Sequence, residues 1–217
     1  MERVICLIMG YVFGLIQTGF FYGKAHGTDL RTQGSGNSGA TNTLRVMGKK
    51  AGAVVLLGDV LKCIAACALI RLIFGSKEPD MELLYVLYTG FGVILGHNFP
   101  FYLKFKGGKG IAATGGLIIA VMDFRVFIIC LAVFLLTVFL TRYVSLGSML
   151  GAGTFFIVWT VITMNGWNSV APSCRLESCI VVLLIALLAI VRHKSNIKRL
   201  LSGTENKLGA KKQSSDK

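Results

Sequence analysis

The run AGAVVLLGDVLKCIAACALIRLIF, residues 51–74, decides the fold. Its 24 residues are too many for a strand of a soluble sheet and enough for a helix that crosses a bilayer. The whole chain agrees with this reading, since its mean hydropathy is +0.69 and only 15% of its residues are charged, whereas soluble domains carry about a quarter. The sequence therefore predicts an all-α integral membrane protein.

Apolar runs of this kind recur along the 217 residues. We read seven of them as transmembrane helices, at residues 4–22, 51–74, 83–103, 111–122, 126–140, 146–163 and 178–191. The third should bend or break near Pro100, because proline lacks the amide hydrogen that a helix uses, and the fourth is short for a full span. We expect one seven-helix membrane domain over residues 1–208 and a polar, basic, disordered tail over residues 209–217.

Basic residues divide unequally between the two sets of loops that seven spans create. The set made of residues 24–50, 104–110, 141–145 and the segment from 192 onward holds seventeen Lys and Arg, and the other set holds five. Cytosolic loops carry the excess of Lys and Arg, so the N-terminus should lie outside and the C-terminus in the cytosol. The net charge of +13 then favours anionic lipid heads and phosphate ligands as partners over nucleic acid.

Residues 34–45, GSGNSGATNTLR, form a polar, glycine-rich stretch between the first two apolar runs. Small residues let backbone N–H groups turn toward a ligand, and Arg45 adds a planar fork suited to phosphate. The same glycines match the G-x-G-x-x-G dinucleotide pattern, with Asp59 about twenty residues further on. No short strand precedes them and Asp59 lies inside an apolar run, so we favour an anion site at a membrane surface.

Residues 105–110, FKGGKG, place Lys109 after a glycine pair at the start of a predicted helix. Backbone donors, helix dipole and side-chain charge would together favour phosphate there, although a basic loop that touches lipid heads explains the same residues. Arg142 precedes Ser145 and Ser148, which share one face at the start of the sixth helix.

His193 and Asn196 share a face of the basic segment that follows the seventh helix. Asp59 and Lys62 share a face inside the second span. Charges are costly in a bilayer, so this pair should face the bundle, and we favour a structural pair over a proton relay.

Four of the six cysteines fall in or near apolar runs, and we read them as small core residues: Cys6, Cys63, Cys67 and Cys130. Cys174 and Cys179 flank a loop and could pair, although nothing in the sequence requires it.

Taken in chain order, these motifs resemble the bacterial acyl-phosphate:glycerol-3-phosphate acyltransferases of the PlsY type. The resemblance rests on GSGNxGATN with Arg45, on GH followed by FKGGKG, on Arg142 with the SL of residues 145–146, and on HxxNIxRL with GxE in residues 193–205. Ser38 departs from it, since the family usually has an aliphatic residue there, but the glycine frame is intact.

The resemblance implies a seven-helix enzyme of the bacterial inner membrane, with its active site at the cytosolic face. It would transfer an acyl chain from acyl phosphate to glycerol 3-phosphate, giving lysophosphatidic acid and phosphate in phospholipid biosynthesis. It implies no metal or other cofactor, and other enzymes of lipid synthesis remain open as partners. Whether His193 or a phosphate oxygen of the substrates takes the proton is also open.

The resemblance carries residue roles as well. It implies five catalytic residues: Ser35, Arg45, Lys109, His193 and Asn196. Binding of substrate and phosphate would fall to a larger group: Gly36, Asn37, Gly39, Ala40, Thr41, Asn42, Lys106, Gly107, Gly108, Gly110, Arg142 and Ser145. Glu205 would be structural, as would Asp59 and Lys62.

Two other classes fit parts of the sequence. A transporter or channel for an organic phosphate would share the basic loops and broken helices, but it should show two related halves and polar residues on the outer side. The sequence shows no internal repeat, and its outer loops lack a basic cluster. A purely structural membrane subunit would not need so many polar loop motifs.

Overall fold

The computed structural model describes residues 1–209, and the regular structure of that part of the chain is entirely helical. Ten α-helices follow one another: α1 (Glu2–Gly14), α2 (Thr18–Ala25), α3 (Ala40–Met47), α4 (Lys49–Ile70), α5 (Glu82–Asn98), α6 (Ile111–Ala120), α7 (Phe124–Thr141), α8 (Val144–Met164), α9 (Arg175–Arg192) and α10 (Lys194–Leu201). A turn of π-helix, Arg71–Gly75, extends α4. The tail predicted for residues 209–217 lies, from residue 210 on, outside the described part.

Five helical segments are long and apolar enough to cross a bilayer: Glu2–Ala25, Lys49–Gly75, Phe124–Thr141, Val144–Met164 and Pro172–Arg192. They correspond to five of the seven predicted spans. The other two predicted spans are α5 and α6, of 17 and 10 residues. The apolar segments make this an integral membrane protein by length and composition, and α5 and α6 are shorter than these five segments.

The first predicted span, residues 4–22, is broken rather than continuous. The chain leaves the helix after Gly14 and re-enters it at Thr18. Gln17, which lies at the break, is only 1% exposed, and its Nε2 donates to the carbonyl oxygens of Gly14 at 3.2 Å and His97 at 2.9 Å. The buried amide nitrogen satisfies the Gly14 carbonyl at the break and ties the break to α5 through His97, which is how an interrupted helix survives away from water.

α1 and α5 pack with their backbones almost in contact. A Cβ atom on Gly10 would lie 2.1 Å from the carbonyl oxygen of Thr89, and one on Gly96 would lie 2.2 Å from that of Tyr11. Helices approach this closely in membranes where small residues face each other. The glycines thus bind α1 to α5, which is buried along most of its length at the centre of the bundle.

α5 ends at Asn98, two residues before Pro100, which confirms the predicted break. At the periphery, α7 packs mainly on α8, and Val126 and Cys130 are its only buried residues. All six cysteines are buried and free, so Cys174 and Cys179 do not pair.

Candidate active site

A cavity of about 390 Å³ lies between α3, α4, α6, α7 and α8, with His193, Asn196 and Glu205 from the end of the described chain. Polar side chains line it around the first residues of α3, α6 and α8, and apolar ones line it further along α6 and α8. The lining follows α6 from Gly110 to Ile119, a distance of about 13 Å at 1.5 Å per residue. The cavity therefore has a polar end and an apolar end.

The glycine-rich stretch forms a loop that Asn42 holds in shape. The Oδ1 atom of Asn42 accepts a hydrogen bond from the backbone of Ser35 at 2.8 Å, and its Nδ2 donates to the carbonyl oxygens of Leu30 and Gln33 at 3.1 and 3.0 Å. Gly34 has φ +60°, and a Cβ atom on it would lie 2.3 Å from Oδ1 of Asn42. The amide of Asn42 is thus engaged by the loop itself, and its part is to place Ser35.

α3 begins at the polar end of the cavity. Asn37 accepts a hydrogen bond from the backbone of Gly39 at 2.9 Å, and this turn leads the chain into the helix. The first backbone N–H groups of a helix have no partner within it, and those of Ala40 and Thr41 lie in residues that line the cavity. Arg45 follows on the same helix, so donors and positive charge occur together, a combination that favours an anion.

Arg45 is half-buried, and its Nη2 donates to the carbonyl oxygen of Asn206 at 3.3 Å. Burial lowers the pKa of Arg45 from its ordinary value, with the carboxylate of Glu205 opposing the shift. A guanidinium keeps its charge over any working pH. Its remaining donors make no hydrogen bond to residues 1–209, so they can serve a ligand in the cavity.

The second glycine loop is fixed from two sides. The backbones of Gly107 and Gly108 donate to the carbonyl oxygens of Asn98 and His97 at 3.2 and 3.1 Å. From the other side Arg192 donates to the carbonyl oxygens of Gly107 and Gly108, at 3.1 and 2.8 Å. The loop ends in Gly110 at φ +78°, and α6 starts immediately, so Lys109 and the N-terminus of α6 reach the same cavity.

Lys109 belongs to a hydrogen-bonded chain of side chains. Its Nζ donates to Oδ1 of Asn196, and Nδ2 of Asn196 donates to Oε1 of Glu205 at 2.8 Å. The same oxygen accepts from Ser145 at 3.0 Å, and Arg199 donates to the other oxygen at 2.7 Å. Glu205 therefore ties α8 to α10 and fixes the Asn196 amide.

Charge and burial set the protonation of these hydrogen-bonded side chains. Burial and the nearby arginines 45, 192 and 199 together lower the pKa of Lys109 to about 8, against the opposing effect of the Glu205 carboxylate. Burial alone would raise the pKa of Glu205, but hydrogen bonds from Asn196, Arg199 and Ser145 bring it below its ordinary value. Near neutral pH Lys109 is charged, but it loses its proton at a lower pH than an exposed lysine does.

His193 presents one ring nitrogen to the cavity. Its Nδ1 lies 2.7 Å from the carbonyl oxygen of Ala189, which can only accept, so Nδ1 carries the hydrogen. Burial, together with the charge of Lys109, lowers the pKa of His193 to about 4. The ring is therefore neutral at pH 7, with Nε2 free to accept a hydrogen bond.

The structure brings most of the predicted site residues together. The cavity is lined by these members of the predicted set: Ser35, Asn37, Gly39, Ala40, Thr41, Asn42, Arg45, Lys109, Gly110, Ser145, His193 and Asn196. Five others do not line it: Gly36, Lys106, Gly107, Gly108 and Arg142. Lys106 and Arg142 are exposed; the Arg142 guanidinium donates to the carbonyl oxygen of Leu208 at 2.8 Å, so it holds the end of the described chain.

The predicted buried pair is present and has a third member. Nζ of Lys62 donates to Oδ1 of Asp59 at 2.8 Å and lies 2.9 Å from Nδ1 of His97. All three side chains are buried, and Asp59 and His97 also line the cavity. The histidine comes from α5, 35 positions later in the chain, and no sequence spacing connects it to the pair.

The apolar wall of the cavity was not predicted. It is formed by residues of α4, α6, α7 and α8: Leu56, Val60, Ile118, Ile119, Phe127, Cys130, Leu131, Phe134, Gly151 and Ala152. Three of them, Leu56, Ile119 and Leu131, keep 38–47% of their surface exposed, so this end opens at the side of the bundle. In a membrane helix an apolar residue can face lipid, protein or a cavity, so the sequence carries no signal that separates these.

Comparison with known proteins associates the chain with one family. The sequence model of the glycerol-3-phosphate acyltransferase family matches residues 4–203. The glycerol-3-phosphate acyltransferase of Clostridioides difficile (strain 630) is 40% identical to this chain over 212 residues, which cover 97% of each protein. That of Bacillus subtilis (strain 168) is 38% identical over 205 residues, 94% of this chain and 96% of the relative.

Two crystal structures of PlsY, an integral membrane glycerol 3-phosphate acyltransferase, share the fold. The glycerol 3-phosphate form matches with a TM-score of 0.80 at 33% identity, and the lysophosphatidic acid form with 0.79 at 32%. Each match covers 96% of both chains.

Proposed function

The chain belongs to the PlsY family of integral membrane glycerol-3-phosphate acyltransferases, and we propose that its acyl donor is an acyl phosphate. The acyl chain passes to glycerol 3-phosphate, and the products are lysophosphatidic acid and phosphate. This reaction would serve phospholipid biosynthesis.

One observation carries the proposal, namely that a single cavity is cationic at one end and apolar at the other. The helix N-termini of α3, α6 and α8 meet at its polar end, together with Arg45 and Lys109. Each N-terminus adds backbone donors and a positive dipole end, so two phosphate groups can be held close without repelling each other. The apolar end, open at the side of the bundle, suits an acyl chain that arrives from the bilayer.

For this reaction the protein has mainly to hold the two substrates in position. An acyl phosphate is a mixed anhydride with a good leaving group, so no covalent enzyme intermediate is needed. A glycerol 3-phosphate hydroxyl attacks the carbonyl carbon, a new ester C–O bond forms, and the bond to the phosphate oxygen breaks. Arg45, Lys109 and the backbone donors stabilise the negative charge that moves to the departing phosphate.

Ser35, His193 and Asn196 would orient glycerol 3-phosphate, which accepts the acyl chain. Nε2 of His193 can accept a hydrogen bond from the attacking hydroxyl, whereas the Asn196 amide is already held by Glu205 and Lys109. The lowered pKa of His193, about 4, makes its ring a weak base. A phosphate oxygen of the substrates is therefore the better acceptor for the proton.

We further propose seven spans, with the N-terminus outside and the active site at the cytosolic face of the inner membrane. The excess of Lys and Arg in the site-bearing loops supports this orientation. A reporter fused after Lys217 should be cytosolic and a tag before Val4 external. The reverse result would leave the cavity facing away from cytosolic glycerol 3-phosphate.

The phosphate transporter considered above would need polar groups along a path through the bundle. The cavity instead becomes apolar along α6 and α8. This favours a reaction at one membrane face over passage across it.

The purified protein with palmitoyl phosphate and labelled glycerol 3-phosphate tests the proposed reaction. Labelled lysophosphatidic acid should form without added metal, and a chelator should leave the rate unchanged. A parallel reaction with palmitoyl-CoA should yield no product. Product from the thioester alone, or loss of activity with chelator, would contradict the donor assignment.

A further inference from the structure

His97 is a buried histidine that the proposed reaction does not use. It lines the cavity from α5, and its ring lies beneath the glycine pair that precedes Lys109. A Cβ atom on Gly108 would come within 2.0 Å of Nε2 of His97, so glycine is the residue that leaves the ring room. The ring and the second glycine loop are therefore built around each other.

Lys62 decides which nitrogen of His97 carries the hydrogen. Its Nζ has three acceptors: the carbonyl oxygen of Ile16 at 2.7 Å, Oδ1 of Asp59 at 2.8 Å and Nδ1 of His97 at 2.9 Å. An ammonium group has three hydrogens, one for each acceptor. Nδ1 of His97 therefore accepts, and the hydrogen of the neutral ring lies on Nε2.

Asp59 does not compete for the histidine. Its Oδ1 is 3.6 Å from Nδ1 of His97, which is too long for a hydrogen bond, and it is already engaged by Lys62 and by Thr18 at 3.0 Å. The Asp59–Lys62 pair predicted from the sequence thus acts on a third residue, because it holds the ring in one tautomer.

Nε2 of His97 has no hydrogen-bond acceptor among the described residues, although the side chain is only 4% exposed. The nitrogen is not fully enclosed by protein, and His97 lines the cavity, so a ligand there can supply the missing acceptor. Lys109 lines the same cavity, and Arg192 donates to the carbonyl oxygen of Gly108 at 2.8 Å, so the positive charge around the cavity favours an anionic ligand. We propose that His97 is a substrate-binding residue that donates from Nε2 to a phosphate oxygen held in the cavity.

His97 and His193 then divide two tasks within one cavity. Nδ1 of His193 donates to Ala189, so its Nε2 is an acceptor for the hydroxyl, whereas Nε2 of His97 is a donor for an anionic oxygen. The identity of the ligand as an acyl-transfer substrate rests on the proposed function. The donor state of His97 rests on its contacts with Lys62 alone.

Selective ¹⁵N labelling of histidine tests the donor state directly, since the chain has three histidines and bare and protonated ring nitrogens differ widely in shift. We expect His97 with the hydrogen on Nε2, and His193 and His26 with it on Nδ1, because Nδ1 of His26 also lies at a carbonyl, that of Tyr22, at 2.9 Å. Single His→Gln variants assign the signals. A hydrogen on Nδ1 of His97 would overturn the proposal.

Titration with inorganic phosphate, and separately with glycerol 3-phosphate, tests the ligand. The Nε2 signal of His97 should shift on saturation, while that of exposed His26, outside the cavity, should not move. An unmoved His97 signal would overturn the proposal. This arm needs no turnover, so it can succeed even if palmitoyl phosphate proves not to be the donor.

Kinetics identify which phosphate His97 contacts. The amide nitrogen of a glutamine at position 97 reaches about as far as Nε2 and keeps a donor, whereas leucine removes it. His97→Leu should raise the apparent KM of one substrate, or the inhibition constant of phosphate, by roughly ten- to a hundredfold. His97→Gln should bind the same ligand with an affinity much closer to that of the unchanged protein. Thermal unfolding shows that both variants fold; equal kinetics in the two folded variants would contradict the donor role.

Discussion

Lys109 and Asn196 are 87 positions apart in the chain, yet the ammonium of one donates directly to the amide oxygen of the other at the polar end of the cavity. The amide cannot turn away, because Glu205 accepts from its nitrogen at 2.8 Å. The lysine charge is thereby fixed at the N-terminus of α6, where a phosphate would bind. Its removal should therefore affect binding more than folding.

Lys109→Ala should raise the apparent KM for a phosphate-bearing substrate by roughly ten- to a hundredfold, the loss expected for a hydrogen bond to a charged group. Steady-state kinetics with each substrate varied in turn measure it. Lys106→Ala is the matched control, since it removes the same charge from the same loop at an exposed position outside the cavity. Equal effects of the two variants would mean that the loop acts only by its overall charge.

The lowered pKa of Lys109, about 8, predicts an alkaline limb in kcat/KM. The charged form binds phosphate, and it is lost as pH rises through 8, below the range where an ordinary lysine titrates. The rate constant should fall above that pH, and the limb in kcat should lie higher, because a bound anion stabilises the charge. Lys109→Arg should remove the limb whatever its effect on rate; a limb that persists unchanged would assign it to another group.

Arg45→Lys should lose most activity while the protein still folds. A guanidinium offers two parallel donors to a phosphate, and an ammonium cannot copy that geometry. Arg31→Lys is the control from the preceding loop, where the guanidinium pairs with Asp29 at an exposed site outside the cavity. Comparable rates for the Arg45 and Arg31 variants would mean that the fork geometry at position 45 has no part in catalysis.

His193→Gln should keep part of kcat and leave the shape of the pH profile unchanged. The amide of glutamine can still accept a hydrogen bond from the hydroxyl, and a phosphate oxygen can take the proton. The measurement is a comparison of the pH–rate profiles of the His193→Gln variant and the unchanged protein. A strong fall in kcat with an altered acid limb would make His193 the general base.

Gly115→Leu should narrow the range of acyl chains that the enzyme accepts. Gly115 lines the cavity on α6, and a Cβ atom on it meets no other atom within 4 Å, so a larger side chain enters the space assigned to the acyl chain. The ratio of rates with long and short acyl phosphates should fall. Gly153→Leu is the control, because that glycine also has open space but does not line the cavity.

The sequence predicts the polar half of the site far better than the apolar half. Polar, glycine-rich loops are rare in such an apolar chain, so Arg45, Lys109 and Asn196 stand out by contrast with the residues around them. Phe127 and Phe134 have no such contrast, since α7 is apolar on all sides and only packing separates the faces. Contacts between residues that are far apart in the sequence, such as His97 and Lys62, were also not predictable.

The predicted span at residues 4–22 is present, but the sequence did not predict the interruption within it. The apolar run of residues 4–22 has the length of a single span, and its interruption depends on Gln17, whose amide finds carbonyl partners on α5. The sequence shows the glutamine but not those partners. By contrast, the end of α5 near Pro100 follows from the covalent structure of proline itself, and no distant contact is needed to predict it.

The close contact of α1 with α5 also sets the order of assembly during synthesis. The ribosome makes α1 first, and the residues whose carbonyl groups its glycines meet, Thr89 and Val93, are translated only after α4. Until then α1 has an uncovered backbone face, and Gln17 has no α5 carbonyl to bind. A ribosome that stops before α5 therefore leaves α1 without its packing partner and a chain that still lacks Lys109, so catalytic competence arises late in translation.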